Sequence, residues 1–175
     1  MRGFVGRLLL GAADALGGRA RRGLTVAERS VLAGVFGDGL DLDPIVVVPD
    51  RAGLLGLSRR PVTLGTSIHL KGASSPGLLV HEAVHVWQYR RLGARYALDA
   101  VRAQCSRTGY DWRAPATDRF AELNVEAQAQ FLQDLVTTPA VGTDHPGLAA
   151  DALASVRAPS RPTTTWPGRR GRASA

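Results

Sequence analysis

The segment Leu78-Leu79-Val80-His81-Glu82-Ala83-Val84-His85-Val86-Trp87-Gln88-Tyr89 constrains the fold of this chain more than any other. Its apolar residues surround the helical circumference and leave no broad solvent face, so it reads as a buried helix. Three polar side chains, His81, Glu82 and His85, stand inside that apolar run, and burying them without partners is costly. Residues four apart on a helix lie one above the other on the same face. His81 and His85 therefore aim both rings at one point, where a cation would partner both. Ser75 is a good N-cap, Pro76 suits the first helical position and Gly93 suits a C-terminal stop. A helix is expected over residues 75–92.

The spacing His-Glu-x-x-His on a helix is the pattern of zinc peptidases. Glu82 sits beside the first ligand, within reach of a water held by the ion. Zinc brings the pKa of such a water towards about 7, and an adjacent base then takes its proton. Glu82 is thus the expected catalytic base, with His81 and His85 as zinc ligands. The competing reading is a core helix whose histidines are satisfied by ordinary hydrogen bonds.

A catalytic zinc usually has a further protein ligand and a water. The segment 119–131 offers Glu122 and Glu126, four apart on one face of a helix expected from Thr117 or Asp118 to about residue 136. Phe120, Leu123, Ala127 and Phe131 give that helix a core-facing side. Glu126 lies deeper in the apolar section and is the expected third ligand, with Glu122 as the alternative. The glutamate that does not ligate is expected to hold an imidazole N–H. His145 and Asp134 are weaker candidates. Tyr89, Tyr96, Tyr110 and His145 remain open as donors to a developing oxyanion.

With 175 residues, the chain is long enough for one domain with a real core. Residues 1–23 read as an amphipathic helix and a basic linker, 24–157 as the folded domain, and 158–175 as a disordered basic tail. The net charge of +7 is concentrated near the two ends. No aromatic interleaving or recognition motif accompanies it, so no specific nucleic-acid partner is expected. Cys105 is the only cysteine, which excludes an intrachain disulfide and a cysteine zinc knuckle. Arg7 and Asp14 interrupt the first apolar stretch, so neither a secretory signal nor a membrane span is expected there. That points to a cytoplasmic protein, or one exported by a specialised system.

Before the central helix, Thr25-x-x-Glu28 is a capping box opening a helix with Val31, Leu32, Val35 and Phe36 inward. Asp38, Asp41 and Asp43 lack the spacing of a calcium loop and read as a turn. Residues 45–48 form a β-branched run and read as a buried strand. Residues 61–64 and 66–70 read as two strands around Gly65, with His69 on a polar, solvent-facing side. Residues 51–60 read as a loop, 94–106 as a helix, 109–112 as a turn, and 145–156 as a last helix.

These features together resemble the zinc-metallopeptidase domain associated with bacterial extracellular contractile injection systems (the eCIS core domain, formerly a domain of unknown function). Phe36-Gly37-Asp38 before the strand at 45–48, Val62-Thr63-Leu64-Gly65 with Ile68, and the helix at 79–88 carry the likeness. Its His-Glu-x-x-His-x-x-Gln pattern is matched by His81, Glu82, His85 and Gln88, and its later Glu-Ala pair by Glu126-Ala127. The likeness covers residues 25–134. It implies an α+β, mostly helical, minimal zincin-like domain of gluzincin type, with a small β-sheet beside an active-site helix. It also implies Zn2+ as cofactor, a peptide or protein substrate, and components of a secretion or injection apparatus as partners. An acidic residue expected after Glu-Ala is replaced here by Gln128, Ala129 and Gln130. Two functions follow as expectations: peptide-bond hydrolysis by a Glu82-activated water, or a metal-binding accessory or packaging module with little or no catalysis.

Overall fold

The computed structural model describes residues 21–50, 60–93 and 109–159. The helices expected at 1–16 and 94–106, nearly all of the loop at 51–60 and nearly all of the tail from 158 lie outside these residues. The chain is α+β and mostly helical, with one small sheet.

Helix α1, Val26–Phe36, starts where Thr25 accepts from the Glu28 backbone N–H and the Glu28 carboxylate accepts from the Thr25 N–H. This reciprocal cap satisfies two of the donors that a helix start leaves unpaired. Its buried residues are Leu32, Val35 and Phe36. A 3₁₀ turn follows at Gly37–Gly39. A Cβ on Gly39 would collide with the carbonyl of Val156, so only glycine lets the last helix come this close. In the acidic stretch after it, Asp41 accepts from the Asp43 N–H and closes a turn, as expected.

The sheet holds β1, Val46–Val48, β2, Val62–Leu64, and β3, Ser67–His69, in the order β1-β3-β2. β3 runs parallel to β1 and antiparallel to β2. One cross-strand row is Val47, Ile68 and Thr63, and the neighbouring row is Val48, His69 and Val62. Backbone bonds between Arg22 and Val47 extend the free edge of β1. Contrary to expectation, His69 does not face solvent: it is 2% exposed. β3 is the central strand, and Val48 beside it is buried as well, so the second face of the sheet is covered at this end, while Leu64 at its other end is exposed. Burial, with Arg21 and Lys71 nearby, pushes the His69 pKa down.

Helix α2, Pro76–Leu92, runs through the middle of the molecule. Ser75 caps it by accepting from the Leu78 N–H at 3.1 Å, and Gly93, with φ 61°, ends it. Every residue from Leu79 to Gln88 is buried. The sheet and α1 pack on α2, and so, most extensively, does α3, Val125–Thr137. Gly77 sits where a Cβ would collide with Thr137, which lets the start of α2 meet the end of α3 closely.

Helices α4, Pro139–Asp144, and α5, Pro146–Arg157, complete the domain. The Arg157 guanidinium donates to the carbonyls of Gly34 and Val35, placing a cation on the C-terminal end of α1. Phe36, Phe120, Phe131, Leu132 and Leu148 lie at the centre of the shared core. Each stabilises the fold by about 1.5–3 kcal/mol through burial.

The expected helix from residue 117 or 118 is corrected. Residues 120–122 form a 3₁₀ turn, Leu123 is extended, and α3 begins only at Val125. Asn124 sets that start: its side chain accepts from the N–H groups of Glu126 and Ala127 at 3.0 and 2.9 Å. Among the described residues, no helix is long and apolar enough to cross a membrane.

Candidate metal centre

Helix α2 sends His81 and His85 towards α3, and the first turn of α3 sends Glu126 back. The Glu126 Oε2 lies 3.6 Å from His81 Nε2 and 3.5 Å from His85 Nε2. One donor atom from each of the three side chains falls within 4.8 Å of the other two. Ligands about 2.0–2.1 Å from a tetrahedral zinc lie roughly 3.3–3.5 Å apart, and the two carboxylate–imidazole separations are at or just above that range. Glu126 is 1% exposed, His85 5% and His81 7%. An anion this deep needs compensation. The N-terminus of α3 supplies part of it, because a helix start favours negative charge. Two nitrogen donors facing one buried carboxylate form a group that could hold a metal ion.

The two imidazoles are held differently. His85 Nδ1 lies 2.9 Å from Gln88 Oε1. His81 Nδ1 is buried and has no hydrogen-bond partner among the described residues. Burial is the largest influence on the His85 pKa and lowers it, but Glu126, Glu82 and Gln88 together outweigh it and raise the pKa overall. The rings of His81 and His85 meet edge to face, with centroids 4.9 Å apart.

Glu82 is 4% exposed and lies against the sheet. Thr63 of β2 donates to its Oε2 at 2.7 Å and also lies 3.1 Å from its backbone carbonyl oxygen. The general-base candidate is therefore held between its own helix and the strand beside it. Tyr110 stacks on His81, with centroids 6.1 Å apart. Its hydroxyl is within the influence of Glu126 and Arg60. Burial and the Glu126 charge raise its pKa despite Arg60.

The remaining sequence candidates fall elsewhere. Glu122 is exposed and accepts from the Thr117 hydroxyl at 2.7 Å, with Arg119 3.6 Å away. It neither joins the centre nor holds an imidazole. The break before Asn124 takes it off the helix that carries Glu126. Gln88 takes the role expected of that second glutamate. Asp134 accepts from the Trp112 indole and from Gln130. The His145 ring packs edge-on against Trp112, and Tyr89 lies against Gly65. Tyr96 is outside the described residues. Thr63 and Gln128 were not singled out as functional from sequence. Thr63 becomes visible through the row it shares with Ile68 and Val47, which exists only once strand order is known.

No protein-family model, curated protein or solved structure matches the chain.

Proposed function

We propose that this chain is a zinc-dependent metallopeptidase-like protein that hydrolyses a peptide or protein substrate. The observation that carries the reading is the convergence of His81, His85 and Glu126 beside a Glu82 carboxylate anchored by Thr63. His81, His85 and Glu126 would hold the zinc. When bound, zinc supplies Lewis acidity towards a carbonyl and towards water. Glu82 takes a proton from the attacking water and returns it to the leaving amine. The Thr63 hydroxyl keeps the carboxylate from swinging away during both transfers. Tyr110, over His81 and partly exposed, is the best-placed donor to an oxyanion.

Metal content of the purified protein, with His85→Ala as control, tests the centre. Wild type and Glu82→Gln on a peptide library test the chemistry: the wild type cleaves, the variant does not, and equal rates reject the hydrolase. One observation favours a second reading, a metal-binding accessory or packaging module of a secretion or contractile injection apparatus. His81, Glu82, His85 and Glu126 are all nearly closed to solvent, which suits a retained ion better than an open cleft. On that reading, zinc is bound, cleavage is absent, and partner capture from the native host survives Glu82→Gln.

A further inference from the structure

The proton position on His85 can be read from groups that have no choice of role. The carbonyls of Phe120, Leu123 and Val125 can only accept hydrogen bonds. The Gln128 Nε2 donates to Phe120 O at 3.0 Å and to Leu123 O at 3.2 Å. With its amide nitrogen spent there, Gln128 presents Oε1 to Gln88, whose Nε2 donates to it at 2.9 Å. That same Nε2 donates to Val125 O at 2.9 Å. Both constraints turn the Gln88 amide nitrogen towards the first turn of α3, leaving Oε1 as the atom 2.9 Å from His85 Nδ1. An oxygen there requires a proton on Nδ1. In the neutral ring, Nε2 then carries only its lone pair, and Nε2 is the atom that faces Glu126.

We propose that Gln88 and Gln128 are positioning residues: their directional amide chain fixes His85 as the Nδ1–H tautomer and holds its Nε2 lone pair ready for a metal. The chain ends on the backbone immediately before α3 and on the first residue of α3, next to Glu126. One network therefore sets both the imidazole and the register of the carboxylate opposite it. A carboxylate in place of Gln128 would add a negative charge at a half-buried position. The amide instead leaves Glu126 as the only formal charge in the donor set. Among the described residues, His81 has no such partner on Nδ1, so the effect concerns His85. The inference rests on the metal reading for its consequence, not for the tautomer itself.

The test uses metal-free protein with nitrogen-15 histidine at alkaline pH, where the ring is neutral, and long-range proton–nitrogen correlation. In the wild type, His85 shows a protonated Nδ1 and a bare Nε2. Gln88→Met gives a mixture of tautomers, and Gln88→Glu, which still accepts, restores Nδ1–H. Gln128→Met gives a smaller shift the same way, because Val125 O still holds the Gln88 amide, and it decides the matter if Gln88→Met does not fold. Zinc affinity falls roughly 10–100-fold in Gln88→Met, the range found when a partner of a ligating histidine is lost. A wild-type His85 protonated on Nε2, or an unchanged tautomer in the folded methionine variants, overturns the proposal. If wild-type protein binds no zinc, the proposed function fails while the tautomer spectra still decide this inference.

Discussion

At the scale of single residues, the centre depends on how each carboxylate is held. Among the described residues, Glu82 has one strong partner, Thr63 Oγ1 at 2.7 Å, and both groups are buried. Thr63→Val keeps the shape but removes the donor, leaving a buried carboxylate short of a hydrogen bond. The expected loss is about 1–3 kcal/mol of stability. Thr63→Ser, which keeps the hydroxyl, should recover most of it. Urea unfolding of the pair measures the difference, and equal midpoints would mean that the hydroxyl does not hold Glu82. Glu126 was legible in the sequence because glutamate is scarce and an apolar helix is a poor place for one without a purpose. Thr63 was not legible, because threonine is ordinary in a strand and its partner lies 19 residues away on another element. Gln128 was visible only as a departure from an acidic pattern. Its use depends on three carbonyls that a sequence does not place.

At the scale of elements, helix starts were readable where the cap is unambiguous. Thr25 and Glu28 cap α1, and Ser75 and Pro76 open α2, because each combines a good acceptor with a suitable first turn. The start of α3 was misplaced because Thr117 and Asp118 are also good caps by type. Asn124 wins because its side chain reaches two N–H groups, while Leu123 is extended just before it. Asn124→Ala should therefore cost about 1 kcal/mol, read by thermal or chemical unfolding. An unchanged midpoint would place the real start upstream. A second device at this scale is the ion pair of Arg22 with Glu28, at 2.6 and 2.8 Å, which ties the extension of β1 to the first turn of α1. The Arg22 guanidinium, with help from Thr25, pulls the Glu28 pKa down to about 2 from 4.5. A depressed carboxylate stabilises the fold above its unfolded pKa, and that contribution disappears as pH falls through the folded value. Wild type should exceed Glu28→Gln by about 1 kcal/mol at neutral pH, the full shift being discounted because the pair is partly exposed. The gap should close between pH 4.5 and about 2, and a gap that persists at the acid end would assign it to something other than the charge.

For the whole molecule, the α+β class and the buried central helix follow from an apolar run too continuous for any surface helix. The partial cover on the second face of the sheet, which buries His69, was hidden because alternation within a short strand cannot tell a solvent face from a second core face. The same layout makes the proposed metal a fastening between α2 and α3, the most extensively packed pair of elements. An ion bound only by the folded chain stabilises it by about 2.7 kcal/mol at a free concentration of 100 times Kd. For a domain of this size, that is a rise of roughly 5–10 °C in Tm. The sign for Glu126→Gln differs between the two states. Without zinc, the variant no longer buries a charge, so it should melt at or above the wild type. With zinc, it should gain almost nothing, and the order of the two proteins should reverse. Glu122→Gln, altering an exposed residue bound to Thr117, should keep the full wild-type rise. Thermal melts of the three proteins with and without zinc measure this directly. A wild-type Tm indifferent to zinc removes the fastening, and an equal rise in Glu126→Gln removes its carboxylate from the ligand set.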